Sequence, residues 1–226
     1  MQDEDFTDSA YYNEIVENVS REAVENFTAE RLCALYNKEP AIAEKPFKTL
    51  TEARLLLHTP HHTAAFIHAV IASEVMLKGV ILKPILQGFV HSDSIAPLIV
   101  ELAFSSSGLG RVKKLLVKIF QDVCKLDLMT HRRNKGTKAL WDEIMEIQAR
   151  RDQIMHRAEI ATKDEAELAI AVATTLAEEL FPVFAKSLGY HLHDGYHLCA
   201  DHYCLLHPEH GEMNRRIAQL QGNQKI

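Results

Sequence analysis

The amino-acid sequence predicts an all-α bundle with a small C-terminal appendage. Three observations lead there. Apolar residues recur three and four positions apart through most of the chain before residue 190, the spacing that lines one face of a helix. Thr49-Leu-Thr-Glu52 and Thr162-Lys-Asp-Glu165 are capping-box patterns, in which a threonine hydroxyl and a glutamate satisfy each other's backbone N–H at a helix start. Gly and Pro number 9 and 7 in 226 residues, few for a chain of many short strands and turns.

Each element follows from its own pattern. Tyr11, Tyr12, Ile15, Val16, Val19, Ala23 and Phe27 make one helix from Ala10 to Phe27, and a shorter one covers Ala29–Tyr36. Pro40 and Pro46 mark Asn37–Lys48 as a loop. The first capping box opens a helix over Leu50–His58, which Pro60 breaks. His62–Phe89 is a long apolar helix whose end Pro84 kinks or shortens. Ser94 caps Ile95–Phe104, and Pro97 is tolerated in that first turn. Ser105–Gly110 is a flexible loop; it lacks the G-K-[ST] ending of a phosphate-binding loop. Arg111–Leu126 and Lys138–Arg157 are amphipathic helices joined by the basic connection Asp127–Thr137. The second capping box opens a helix that runs to Leu188 and stops at Gly189. Beyond it, Asp194-Gly195 between Tyr190-His-Leu-His193 and Tyr196-His-Leu-Cys199 is a type I′ hairpin signal. This divides the chain into an N-terminal helical extension (1–49), a helical domain (50–188) and a His/Cys-rich tail (189–226).

Charge narrows the function classes. The net charge of −6 excludes a generic polyanion binder. It is unevenly spread: residues 1–30 hold nine acids and one Arg, whereas residues 111–138 hold nine Lys/Arg against Asp122 and Asp127. Arg132, Arg133 and Lys135, in the basic connection, are candidate nucleic-acid contacts; a solvated face balanced by acidic neighbours is the plainer reading. No run of about 18 unbroken apolar residues is present. The acidic N-terminus lacks a signal-peptide pattern, and four Cys in 226 residues make no disulfide framework. The expectation is a cytoplasmic protein without membrane association.

The helix Lys138–Arg157 carries the chemistry. Leu140, Ile144, Ile147, Ile154, Met155 and Ala158 make its apolar arc, and Arg151 falls near the centre of that arc while Arg150 falls on the solvated side. A guanidinium on an apolar face needs an anion or a cleft. His156 lies on the rim, one turn beyond Asp152, so the carboxylate can touch and orient the imidazole. A cation beside a titratable imidazole suits phosphoryl chemistry on an RNA backbone. An Arg paired with a buried Glu, next to a surface His, is the alternative.

Arg151-Asp-Gln-Ile-Met-His156 resembles the R-X4-6-H motif of HEPN domains. The likeness extends to Ala65–Leu82, an apolar helix interrupted by Glu74, to Trp141, and to the alanine-rich helix Glu165–Leu188. The resemblance implies a HEPN-like bundle acting as a metal-independent endoribonuclease with no cofactor. It implies a homodimer in which two motifs face each other. The RNA 2′-OH attacks the adjacent phosphate and leaves a 2′,3′-cyclic phosphate. Arg151 would hold the phosphate, His156 would move protons, and Asp152 would orient His156 or position RNA. Glu74 is either an i, i+4 ion pair with Lys78 or a carboxylate that fixes Arg151. Toxin or antiviral-defence roles with a neutralising, antitoxin-like partner are common in the family. Other HEPN domains are inactive modules that bind a protein or nucleotide partner.

The tail offers a weaker possibility. Cys199, Cys204, His207 and His210 are ligand types that suit zinc, in a spacing that matches no standard finger. A metal-free hairpin is the simpler expectation.

Overall fold

The computed structural model describes residues 31, 33–89, 109–134, 136–201 and 203–204. The expected helices Ala10–Phe27 and Ile95–Phe104 lie outside the described residues, as do Lys135, His207 and His210. The described chain is mostly helical, with one two-stranded sheet near residue 195.

Helix α1 spans Glu44–Leu57, so it starts six residues before the expected helix. Pro46 sits in its first turn, where a missing N–H removes no hydrogen bond, and Glu44 pairs with Lys48 at 2.7 Å. The Thr49–Glu52 capping box is therefore not a cap. Thr49 and Thr51 instead donate back to the carbonyls of Lys45 and Phe47. The domain boundary expected at 49/50 falls inside α1.

Helix α2 runs as His62–Glu74, widens into a π-helical stretch over Val75–Leu82 and closes as Lys83–Phe89. Pro84 does not end it. Pro84 has no N–H to give back to the preceding turn, and Lys83 just before it bonds to the Lys78 carbonyl in the wider π-helical register. The buried Tyr36 hydroxyl donates to the Val80 carbonyl in the same stretch at 2.7 Å. Burial, with Tyr190 and Cys33 close by, holds the Tyr36 hydroxyl far above its ordinary pKa, so it remains a donor.

Helix α3 is Leu109–Cys124, α4 is Leu140–Arg157, and α5 runs as Lys163–Thr174, a π-helical stretch Thr175–Leu180 and Phe181–Ser187. The capping box at α5 is real: Thr162 Oγ1 accepts from the Glu165 N–H and Glu165 Oε2 accepts from the Thr162 N–H. Gly189, at φ 83°, follows the stop. α2 is central and packs on α1, α4 and α5, with the two π-helical stretches in contact. Trp141, Phe66, Phe120, Phe181, Phe184 and Met76 are fully buried between these helices. The segments His62–Gly88 and Lys163–Ser187 are long and apolar enough to cross a membrane, yet most of each is buried inside the bundle, as core helices are.

Strands β1 (His191–His193) and β2 (His197–Cys199) form the expected hairpin, and Asp194 and Gly195 both adopt positive φ (52° and 82°). The register differs from a two-residue loop. His193 faces His197, Leu192 faces Leu198 and His191 faces Cys199. The extra residue, Tyr196, packs on Phe47. The reason is burial: this register puts both leucines on one face, where Leu198 is buried and its N–H reaches the Pro40 carbonyl.

Candidate functional site

Helix α4 buries Leu140, Ile144, Ile147, Gln148 and Ile154 along one stripe. Arg151 lies on that stripe, four residues after Ile147 and three before Ile154. Its side chain is 32% exposed. Its Nε is buried without a hydrogen-bond partner among the described residues, and so is Nε2 of Gln148 one turn earlier. Among the described residues the one ion pair of the Arg151 guanidinium is with its neighbour Asp152, at 3.4 Å. Two expected members of the arc are elsewhere. Met155 is 58% exposed, and Ala158 is past the helix end at φ 54°.

Arg150, expected on the solvated side, is the arginine that is held. Its Nε donates to Glu165 Oε1 at 2.7 Å, its Nη1 to Gln153 and Glu159, and its Nη2 to the Ile160 carbonyl. Burial alone would raise the Glu165 carboxyl, but the Thr162 N–H and the Arg150 guanidinium outweigh it and hold that carboxyl below its ordinary value. Arg150 thus ties the chain after α4 to the cap of α5. Arg150→Ala should lower the melting temperature by about 2–4 °C and speed amide exchange in residues 158–161 ahead of the core. Unchanged exchange there would show that the loop does not depend on this guanidinium. Because Glu165 is held low, its share of the stabilisation is present above its unfolded pKa and fades as pH falls through the folded value.

His156 and Asp152 are exposed, and among the described residues no hydrogen bond or ion pair joins either Arg151 or Asp152 to His156. The expected Asp152–His156 contact is not made. Five residues of helix separate Arg151 from His156 by roughly 140° of rotation and about 7.5 Å of rise, so within one chain they do not share a face. Glu74, half-buried on α2, makes no ion pair with Arg151 or Lys78 among the described residues. A cleft of about 280 Å³ lies nearby, lined by Phe66, Ile147, Arg150, Gln153, Glu165 and Leu168. It sits on the Arg150 side.

Three cations of the basic segment are paired with acids, two of them with Glu143 and Glu146 of α4. Arg133 Nε donates to Glu143 Oε2 at 2.8 Å, with the two side chains 19% and 4% exposed. Lys138 pairs with Glu146 and Lys118 with Asp122. Lys113 Nζ lies 5.8 Å from the Trp141 ring. Arg133, a candidate nucleic-acid contact from the sequence, is thus half-buried and held by Glu143. Arg132 is exposed.

The hairpin gathers a second group. His191 Nε2 and His193 Nε2 are 3.0 Å apart, and Cys204 Sγ is 3.2 Å from His193 Nε2. One donor atom from each of His191, His193, Cys199 and Cys204 lies within 4.8 Å of the others. Burial and the nearby Cys204 together push the Cys199 thiol up against the opposing Asp201 N–H. The four described cysteines are free, and burial pushes Cys124 up to about 11, an inert thiol. Of the candidate ligands named from the sequence, His207 and His210 lie outside the described residues, whereas Cys199 and Cys204 lie together with His191 and His193, which the sequence did not single out. Their signal is positional: period 2 places residues 191, 193, 197 and 199 on one face of a ribbon whose other face carries both leucines. Gln148 was also missed, and its signal is an amide three residues before Arg151 on the apolar arc.

Compared with protein-family models, with curated proteins and with solved structures, the chain matches none.

Proposed function

We propose that the chain is a metal-independent endoribonuclease of the HEPN kind, working as a homodimer in a toxin or defence role. One observation carries this reading: Arg151 and Gln148, one turn apart on α4, each hold a buried N–H donor with no partner among the described residues, while Arg150 occupies the carboxylates of Glu159 and Glu165. Unpaired buried donors are rare and call for an acceptor. A phosphate oxygen meets a guanidinium with good geometry.

The rotation between Arg151 and His156 supports a site shared by two copies. His156 stands beside Met155 in the sequence, with Ile160 four residues on. These apolar side chains are 58% and 78% exposed, and a second copy would cover them. Arg151 then neutralises a non-bridging oxygen. One His156 takes the 2′-OH proton, the 2′-oxygen bonds to phosphorus, the P–O5′ bond breaks, and a proton from an imidazole goes to the departing 5′-oxygen. A second reading is a helical module that binds a protein or nucleotide partner without cutting RNA. It draws on the exposure of His156 and its lack of contact with Asp152.

The test is incubation of the full chain with end-labelled RNA in EDTA. Cleavage into fragments with 2′,3′-cyclic phosphate ends is expected. RNA left intact by chain whose helical circular dichroism is native would overturn the nuclease reading and favour the binding module.

A further inference from the structure

We propose that His191, His193, Cys199 and Cys204 bind one Zn²⁺ as a closed structural site that clasps the C-terminal hairpin. The site is separate from the α4 face and does not depend on the nuclease reading.

The donor atoms are arranged for a cation. Zinc bonds of about 2.0–2.1 Å to nitrogen and about 2.3 Å to sulfur imply tetrahedral edges of roughly 3.3–3.8 Å. The four donor atoms all lie within 4.8 Å of one another, with two of the edges at 3.0 and 3.2 Å. Small side-chain rotations bring such a set onto one ion. A hydrogen-bonded cluster satisfies it less well. His193 Nε2 either donates one proton or accepts one, so it cannot satisfy both His191 Nε2 and Cys204 Sγ, which sit at bonding distance from it; with Nδ1–H tautomers and a thiolate, each of the three presents a lone pair. One cation between them uses all three.

The backbone arrives already shaped. The hairpin register sets His191 opposite Cys199 and puts His193 on the same face. Leu198, on the other face, is fixed to the bundle through its own burial and its bond to Pro40. The turn that returns Cys204 is held by Asp201, whose carboxylate accepts from the Tyr203 N–H and whose carbonyl accepts from the Cys204 N–H. Two thiolates and two imidazoles select zinc over magnesium or calcium. Four protein ligands leave no open position, so the site is structural rather than catalytic.

The experiment uses the full chain. Protein purified without chelator should contain one zinc per chain by elemental analysis. After removal of zinc, Co²⁺ should restore occupancy with the intense visible bands of a tetrahedral site and thiolate charge-transfer absorption in the near ultraviolet. The Cys199→Ser/Cys204→Ser pair should lose both signals, and His191→Ala/His193→Ala should lose the tetrahedral bands. His207→Ala/His210→Ala should keep them all. Sub-stoichiometric metal with no Co²⁺ spectrum in the wild-type chain would overturn the proposal without reference to any variant. Survival of the spectrum without His191 and His193, or its loss without His207 and His210, would overturn this ligand set. Metal removal should leave helical circular dichroism unchanged, so RNA cleavage in EDTA is read independently.

Discussion

Arg151→Ala and His156→Ala should each slow RNA cleavage by about 10²–10⁴-fold, the range for losing a positioned proton-transfer group or a charge-stabilising donor. Unfolding midpoints should stay near wild type, because His156 is exposed and Arg151 has no strong intramolecular partner among the described residues. Arg151→Lys should fall between wild type and alanine, since a point charge replaces a fork of donors. Mixing the two inactive chains discriminates further. If each cleft draws Arg151 from one copy and His156 from the other, half of the clefts in a mixed dimer are intact and activity returns in part. No recovery on mixing would argue against a shared cleft, and full activity in either single variant would remove that residue from the chemistry.

The largest loss of stability should come from Glu143→Ala. Glu143 is buried on α4, and its carboxylate takes the Nε–H of a largely buried Arg133. Removing the acid leaves a guanidinium desolvated and unpaired, which costs about 3–5 kcal/mol. Urea unfolding of the full chain measures it. The paired change Glu143→Leu with Arg133→Met should recover most of the loss, because two apolar side chains need no partner. A Glu143→Ala cost below about 1 kcal/mol would mean that water reaches the pair. The surroundings are tight: a methyl group on Gly136 would stand 2.8 Å from Arg133 Cγ and 3.1 Å from its carbonyl oxygen. This pair anchors the basic connection to α4, with the Leu140 N–H bonded to the His131 carbonyl at 2.7 Å beside it.

Helical periodicity made α2, α3, α4 and α5 legible, and the cap at Thr162 and the stop at Gly189 sit where the residues ask for them. Local patterns failed where a distant partner decides. The Thr49–Glu52 box lost to an earlier start that Pro46 permits, since Ala43, Pro46 and Leu50 are buried in the core. Pro84 stays inside α2 just past the π-helical stretch, where Tyr36, 44 residues from Val80, bonds to the backbone. At the site, the stripe that carries Arg151 was readable from spacing. The division of labour between Arg150 and Arg151 was not, because Glu159 lies in an irregular segment whose path no periodicity reports. The metal-suited quartet was half legible: the cysteines stand out in the sequence, whereas His191 and His193 join them only through a register set by leucine burial.

Tyr36 connects parts of the chain that look separable on paper. Its ring meets Tyr190 edge-on at 5.8 Å, and the Tyr190 hydroxyl reaches the Cys33 carbonyl and Asn37. A truncated fragment ending at Leu188 would therefore strip one wall from the tyrosine that is bonded to the central helix at Val80. The tail behaves as a keystone rather than an ornament, and shortened versions trimmed to the helices alone would begin life with their longest helix already compromised.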